Sequence, residues 1–243
     1  MSAQPKSAGT VLVTGANRGL GLEYCRQLSA VGWRVLAGTR EPDRAADLQS
    51  IAQTNPEQVR ILRLDVVNEA ETQAVVQELR GQPLDMLINN AGTFGPEGSP
   101  AGMRYQSLAR MDYEIWRNIL EVNLLAPFRL TVALAASLRL ASRPVVVMLS
   151  SDLGSIANNR LGHSHAYRTS KAGLNMLTKG IANEWQDLIT VAMAPGWCRT
   201  ALGGEEAEID PDESVRAQLQ TFSALTPAHN GQFIDRFGAP VAW

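Results

Sequence analysis

Two side chains four residues apart, Tyr167 and Lys171, have the types and spacing for proton transfer. On a helix that spacing puts them on one face. A free tyrosine titrates near ~10, too high for acid/base work at neutral pH. A neighbouring ammonium favours the phenolate and lowers that value. Such a pair also occurs as plain structure, so its meaning depends on its surroundings. Ser150 and Ser151 end the apolar run 144–149, and Asn89-Asn-Ala-Gly92 ends an earlier one at 84–89. Asn123 sits inside a long apolar stretch, a poor place for an amide without partners.

A second constellation lies near the N-terminus. Thr14-Gly-Ala-Asn-Arg-Gly-Leu-Gly21 places Gly15, Gly19 and Gly21 around Asn17, Arg18 and Leu20, a G-x3-G-x-G pattern. Without Cβ atoms the backbone can approach a pyrophosphate, and the following helix turns its N-terminus to the charge. Three glycines also make ordinary turns, but here a strand precedes and an amphipathic helix follows. The second strand ends at Thr39-Arg40 rather than at the acid that holds a ribose 2′-hydroxyl in NAD sites. A guanidinium pairs its donor fork with phosphate oxygens. Arg40, Arg18 and the Thr39 hydroxyl together point to NADPH over NADH, with Glu41 the one residue against it.

The elements that must hold these residues are legible as alternation. Short β-branched runs at 10–14, 34–39, 59–64, 84–89, 144–149, 189–194 and 232–235 read as strands. Helical patterns at 19–31, 42–53, 69–79, 113–141 and 164–186 lie between them. Near-continuous apolar strands separated by helices mark a parallel sheet covered on both faces. The expected fold is α/β: one doubly wound Rossmann-type domain over residues 1–243, with about seven strands. The least regular stretch, 201–227, holds Gly203-Gly204 and five acids (Glu205, Glu206, Glu208, Asp210, Asp212). It reads as a substrate loop or lid, or as a solvated surface loop.

Composition excludes several classes. The 243 residues are 45% hydrophobic and 19% charged, with net charge −2 and two cysteines, Cys25 and Cys198. That charge gives no basic footprint for nucleic acid, and two cysteines give no disulfide framework. The polar start, Met1 to Gly9, lacks the apolar core of a signal peptide, and no run reaches membrane-spanning length. A cytoplasmic protein is expected.

With the motifs in place, the chain resembles the short-chain dehydrogenase/reductase family over nearly its whole length. The resemblance rests on Thr14 to Gly21, Asn89-Asn-Ala-Gly92, Tyr167-x3-Lys171 and Pro195-Gly-Trp-Cys-Arg-Thr200. Within the family it is most similar to C-factor-like and sniffer-like carbonyl reductases. That narrower resemblance is carried by Ser150-Ser-Asp-Leu-Gly-Ser-Ile156, Tyr167 to Asn175 and the ending Gly238-Ala-Pro-Val-Ala-Trp243. It implies that Tyr167 protonates a carbonyl oxygen and that Lys171 binds the nicotinamide ribose and depresses the phenol. It implies that Ser151 holds the substrate oxygen and that Asn123 holds a water behind Lys171. Asp65 and Val66 would frame the adenine, and Asn89, Ala91 and Gly92 the ribose side. Pro195, Gly196, Trp197 and Thr200 would meet the nicotinamide end.

The serine is ambiguous. The family spaces it about a dozen residues before the tyrosine; Ser151 is 16 before Tyr167 and Ser155 is 12 before. Ser151 keeps the strand-end position, and 158–163 then reads as a small insertion. His163 and His165 lack a third ligand at metal spacing, so no metal is expected. Cys198 lacks a base for nucleophilic work. Phe94 and Trp197 are candidates to line a pocket or simply to pack. The expected partners are a small carbonyl or alcohol substrate and a second copy, as a homodimer or homotetramer. The acid-rich loop disfavours a large anionic substrate. A competing reading is a dinucleotide-binding signalling protein that uses the fold as a scaffold.

Overall fold

The computed structural model describes residues 8–243, so most of the polar start read above lies outside the described residues. The strands are β1 (Thr10–Thr14), β2 (Arg34–Thr39), β3 (Val59–Arg63) and β4 (Met86–Asn89) in the first half. β5 (Gln106–Ser107) and β6 (Arg110–Met111) form a small hairpin, followed by β7 (Val145–Leu149), β8 (Ile189–Ala194) and β9 (Phe233–Asp235). The helices are α1 (Gly19–Ala30), α2 (Ala46–Thr54), α3 (Glu69–Glu78), α4 (Tyr113–Leu120), α5 (Ala126–Ala133), α6 (Ala135–Leu138), α7 (His165–Glu184) and α8 (Pro211–Ala224).

Seven strands form one sheet in the order β3-β2-β1-β4-β7-β8-β9, every neighbouring pair parallel. The doubly wound expectation holds. Strand residues alternate between two apolar layers. Val11, Val13, Val35 and Val147 face α1, α2 and α8, where Tyr24, Leu48 and Phe222 are buried. Leu12, Leu36, Leu87 and Val146 face the other layer, with Leu79, Leu130 and Leu174. Both faces are covered, which is why the strands read as continuous apolar runs. The chain reverses its winding between β1 and β4, and the crevice outside their carboxyl ends is where such sheets bind ligands.

Two expectations need correction. The helix expected over 113–141 is three helices with a π-helical turn, Glu121–Leu125, between α4 and α5. Pro127 explains the widening: it has no N–H for the Asn123 carbonyl four residues back, and its ring crowds that turn. The irregular stretch 201–227 is loop only up to Asp210. From Pro211 it is α8, with Pro at N1 and Asp212 and Glu213 in the first turn, where acids complement the helix dipole. Val215 and Phe222 of α8 are buried, and Tyr24 donates its hydroxyl to Gln218 Oε1 at 2.5 Å. The acids taken for a loop signal are partly a helix start.

Candidate active site

The glycine turn leaves β1 with Gly15 at φ +64° and Gly19 at φ +55°, backbone that glycine adopts freely. At Gly21 the reason is space: a Cβ there would lie 2.2 Å from the Gly15 carbonyl oxygen. Thr14 Oγ1 accepts from the backbone N–H of Asn90 and of Ala91, at 3.0 and 2.9 Å. Asn90 Nδ2 donates to the carbonyls of Thr14 and Gly15 at 2.7 and 3.2 Å. Asn90 therefore ties the β4 motif to the glycine turn, a role the sequence reading gave to no residue. Asn89, expected beside the ribose, instead turns its side chain inward: Nδ2 donates to Thr131 Oγ1 at 3.0 Å, and Oδ1 is buried without a hydrogen-bond partner. It supports the strand from inside the core.

At the end of β2, Thr39 is buried and Arg40 exposed. The Arg44 guanidinium engages Glu41 at 3.2 Å, so the acid that argued against a phosphate is already paired. Neither Arg18 nor Arg40 has an ion-pair partner among the described residues. Arg63 Nη1 donates to the Arg40 carbonyl at 3.1 Å, which adds a third arginine to this corner. Asp65 follows β3; its carboxylate accepts from Val67 N–H at 3.2 Å, and it and Val66 are half-buried.

The catalytic candidates converge. Ser150 donates to Asn175 Oδ1 at 2.6 Å and is held against α7, so its neighbour Ser151 points the other way. The Ser151 hydroxyl faces the Tyr167 hydroxyl closely enough to pull the phenol's pKa down. Ser155 is buried and accepts from Asn158 N–H at 3.1 Å, turned into its own loop. Lys171 Nζ lies 5.6 Å from the Tyr167 ring centre and donates to the Leu149 carbonyl at 2.7 Å. A Cβ on Gly92 would stand 3.5 Å from Asn123 Oδ1 and 3.8 Å from Lys171 Nζ, so the β4 motif passes directly over both. Asn123 clamps Thr93: Oδ1 accepts from its N–H and Nδ2 donates to its carbonyl, both at 2.8 Å. This is the partner set that a buried amide requires.

The titration expectation is reversed in the free chain. Burial pushes the Tyr167 phenol up to about 12, with only a smaller opposing pull from Ser151. Burial brings Lys171 down to about 8. Desolvation disfavours the charged form of each, and it outweighs the attraction expected between them. Tyr167 is thus a phenol that keeps its proton at neutral pH.

Beyond β8, Gly196 takes φ +83° and Trp197 donates Nε1–H to the Gly203 carbonyl at 2.8 Å, leaving the indole half-exposed. A Cβ on Gly19 would lie 3.2 Å from Thr200 Cγ2, so this loop reaches back to the glycine turn. Ser99 N–H donates to the Leu202 carbonyl at 2.8 Å, joining the loop after β4 to the loop after β8. Phe94 is buried with its ring 4.9 Å from that of Tyr167. His163 and His165 belong to no group of three metal-ligand side chains among the described residues. No helix among those residues is long and apolar enough to cross a membrane.

Residues 9–210 match the family model described as short chain dehydrogenase. C-signal of Myxococcus xanthus is 36% identical over 163 residues, which covers 66% of this chain and 93% of that protein. The carbonyl reductase Sniffer of D. melanogaster superposes with a TM-score of 0.88 at 29% identity, covering 97% of this chain and 99% of that one. An NADPH-bound carbonyl reductase from chicken fatty liver gives 0.87 at 32% identity, covering 98% and 100%. The chain belongs to the short chain dehydrogenase family.

Proposed function

We propose that this short chain dehydrogenase is an NADPH-dependent carbonyl reductase acting on small molecules, with Tyr167 as the proton donor. One observation carries the reading. A buried phenol that keeps its proton faces the Ser151 hydroxyl and lies beside Lys171 at the carboxyl edge of the sheet. A proton-holding phenol suits reduction, in which the carbonyl oxygen must gain a proton.

The residues fit a phosphorylated dinucleotide. The turn of Gly15, Gly19 and Gly21 packs so tightly that a Cβ on Gly21 would meet the Gly15 carbonyl, and it opens into the N-terminus of α1, the kind of place a pyrophosphate binds. Arg18 and Arg40, with Thr39, form the corner for a 2′-phosphate, and the NADPH named for the chicken liver structure supports that choice. Asp65 and Val66 flank the adenine end; Ala91 and Gly92 the ribose; Pro195, Gly196, Trp197 and Thr200 the nicotinamide end. When bound, the reduced nicotinamide supplies the hydride. Lys171 holds the ribose hydroxyls and places a positive charge beside the phenol. Ser151 orients the carbonyl oxygen towards Tyr167, which holds the proton that oxygen receives. Asn123 fixes Thr93 and, through it, the wall over Lys171. Leu125, Phe128, Val132 and Met176 are exposed, which supports assembly as a homodimer or homotetramer, testable by light scattering.

The likeness to C-signal supports a second reading, a nucleotide-binding signalling scaffold. One experiment separates the two. NADPH and a panel of aldehydes and ketones are added to the purified protein, and absorbance of the reduced cofactor is followed. Oxidation that depends on substrate and disappears in Tyr167→Phe is expected. Tight NADPH binding without oxidation by any carbonyl refutes the reductase and favours the scaffold.

A further inference from the structure

The geometry points to Gln106 as a positioning residue for Tyr167, holding the proton donor by its backbone from 61 positions away in sequence. The inference rests on the reading of Tyr167 as proton donor.

The need for such a residue starts at α7. Its N-cap, Ser164, sits at φ +49° after His163 at φ +55°, and the Ser164 side chain caps nothing. A normal cap lies in extended backbone and accepts from the N–H of the second or third helical residue. The third helical residue here is Tyr167. Its N–H, left without its local acceptor, donates to Gln106 Oε1 at 2.8 Å. The residue that carries the chemistry is thus the one whose cap is supplied from elsewhere.

Every hydrogen-bonding atom of the Gln106 side chain is engaged. It is completely buried. Its two amide hydrogens go to the carbonyls of Phe94, at 2.7 Å, and Gly102, at 3.4 Å. Two carbonyls on one side and an N–H on the other fix which end of the amide is oxygen. It opens the hairpin, pairing with Met111, so its backbone is anchored too. Phe94, whose carbonyl it holds, packs its ring on the Tyr167 ring. Ser170 Oγ donates to the Tyr167 carbonyl at 2.7 Å, gripping the other end of the same residue. One amide therefore sets the phenol and the aromatic wall beside it in a common frame.

The test compares Gln106→Leu, which removes all three bonds at similar volume, with Gln106→Glu. At pH about 6 a buried Glu is neutral, with one oxygen to accept from Tyr167 and one O–H to donate to Phe94. In Q106L, kcat is expected to fall roughly 100-fold, the cost of a misplacement near 1 Å. NADPH affinity and KM for the carbonyl stay within about threefold, since ground-state binding is untouched. Q106E at that pH recovers kcat to within about fivefold of the parent, its neutral carboxyl restoring both bonds. A Q106L kcat within about twofold of the parent overturns the proposal, as does an equal loss in cofactor affinity, which marks general damage. So does a Q106E no better than Q106L, and Q106E carries the test alone if Q106L does not fold. If the parent protein turns over no carbonyl, the reductase reading fails, and hydrogen exchange at the Tyr167 amide judges Gln106 separately. Exchange faster by about tenfold or more in Q106L upholds its hold on the Tyr167 backbone alone; unchanged exchange removes that too.

Discussion

The two sides of the cleft are made in different ways. The cofactor side, from the glycine turn to Ala91, is shaped by what the backbone needs: positive φ at Gly15 and Gly19, and no space for a Cβ at Gly21. The substrate side is assembled by side chains from distant segments. Ser151, Gln106 and Phe94 meet around Tyr167 although they come from three different loops and strands. Constraint on the first side lies in residue type, and on the second in which residues happen to meet. The first is therefore rigid in sequence and the second open to variation without loss of fold.

Substitutions should divide along that line, and the largest effect belongs to the substrate side. Tyr167→Phe is expected to lower reductase turnover by about 10³-fold, within the range for losing a general acid, while NADPH affinity measured by fluorescence titration is retained. Retained turnover would remove Tyr167 from its role. Gly21→Ala tests the opposite side. Its methyl meets the Gly15 carbonyl, and overpacking of about 1–3 kcal/mol lowers NADPH affinity by roughly 5- to 150-fold. Unchanged binding would show that the turn is not the cradle. Arg40→Ala is expected to weaken NADPH by roughly 10-fold, the worth of a hydrogen bond to a charged group, and to leave NADH unaltered. Equal loss for both cofactors would place the 2′-phosphate elsewhere. Ser151→Ala should cut kcat by roughly 10-fold and Ser155→Ala hardly at all, on the same scale of hydrogen-bond energies; the reverse order would exchange the two serines.

A further effect is in pH. Lys171 loses its proton near 8, so its charge is present below that value and lost as pH rises through it. Tyr167, pushed up to about 12, keeps its proton throughout. Reduction should therefore decline above pH 8, by no more than about tenfold per unit for one proton. A profile flat to pH 10 would show that the lysine charge is not required.

The contrast also explains what was legible. The doubly wound parallel sheet and the glycine turn could be read from the sequence, because β-branched runs and glycines report backbone requirements locally. Tyr167, Lys171 and Asn123 were found as types at positions, and the structure does bring them together. Gln106 gave no signal, since nothing in Arg104-Tyr-Gln-Ser107 says that its amide reaches a helix 61 residues later. Asn90 was hidden beside Asn89, and only the hydrogen bonds show which of the two faces the turn. The helix at Pro211 was readable after all, from Pro at its first position and Val215, Leu219 and Phe222 at helical spacing, but its acids suggested a loop. The direction of the tyrosine shift could not be read, because burial is a property of the packed chain.

The π-helical turn at Glu121–Leu125 carries a consequence of its own. A helix advances about 100° per residue, from 3.6 residues per turn, so one wide turn rotates everything beyond it relative to everything before. Before the turn, α4 lays Trp116 against Thr169 of α7, its indole N–H donating to the hydroxyl at 3.1 Å. After it, α5 sends Leu130 into the core beneath the sheet and Thr131 to Asn89. Asn123 sits at the phase change and reaches Thr93 across the gap. Deleting one residue from 121–125 would shift the phase by about 100° and turn one of the two halves away from its partner. This stretch can exchange side chains, but its length is fixed.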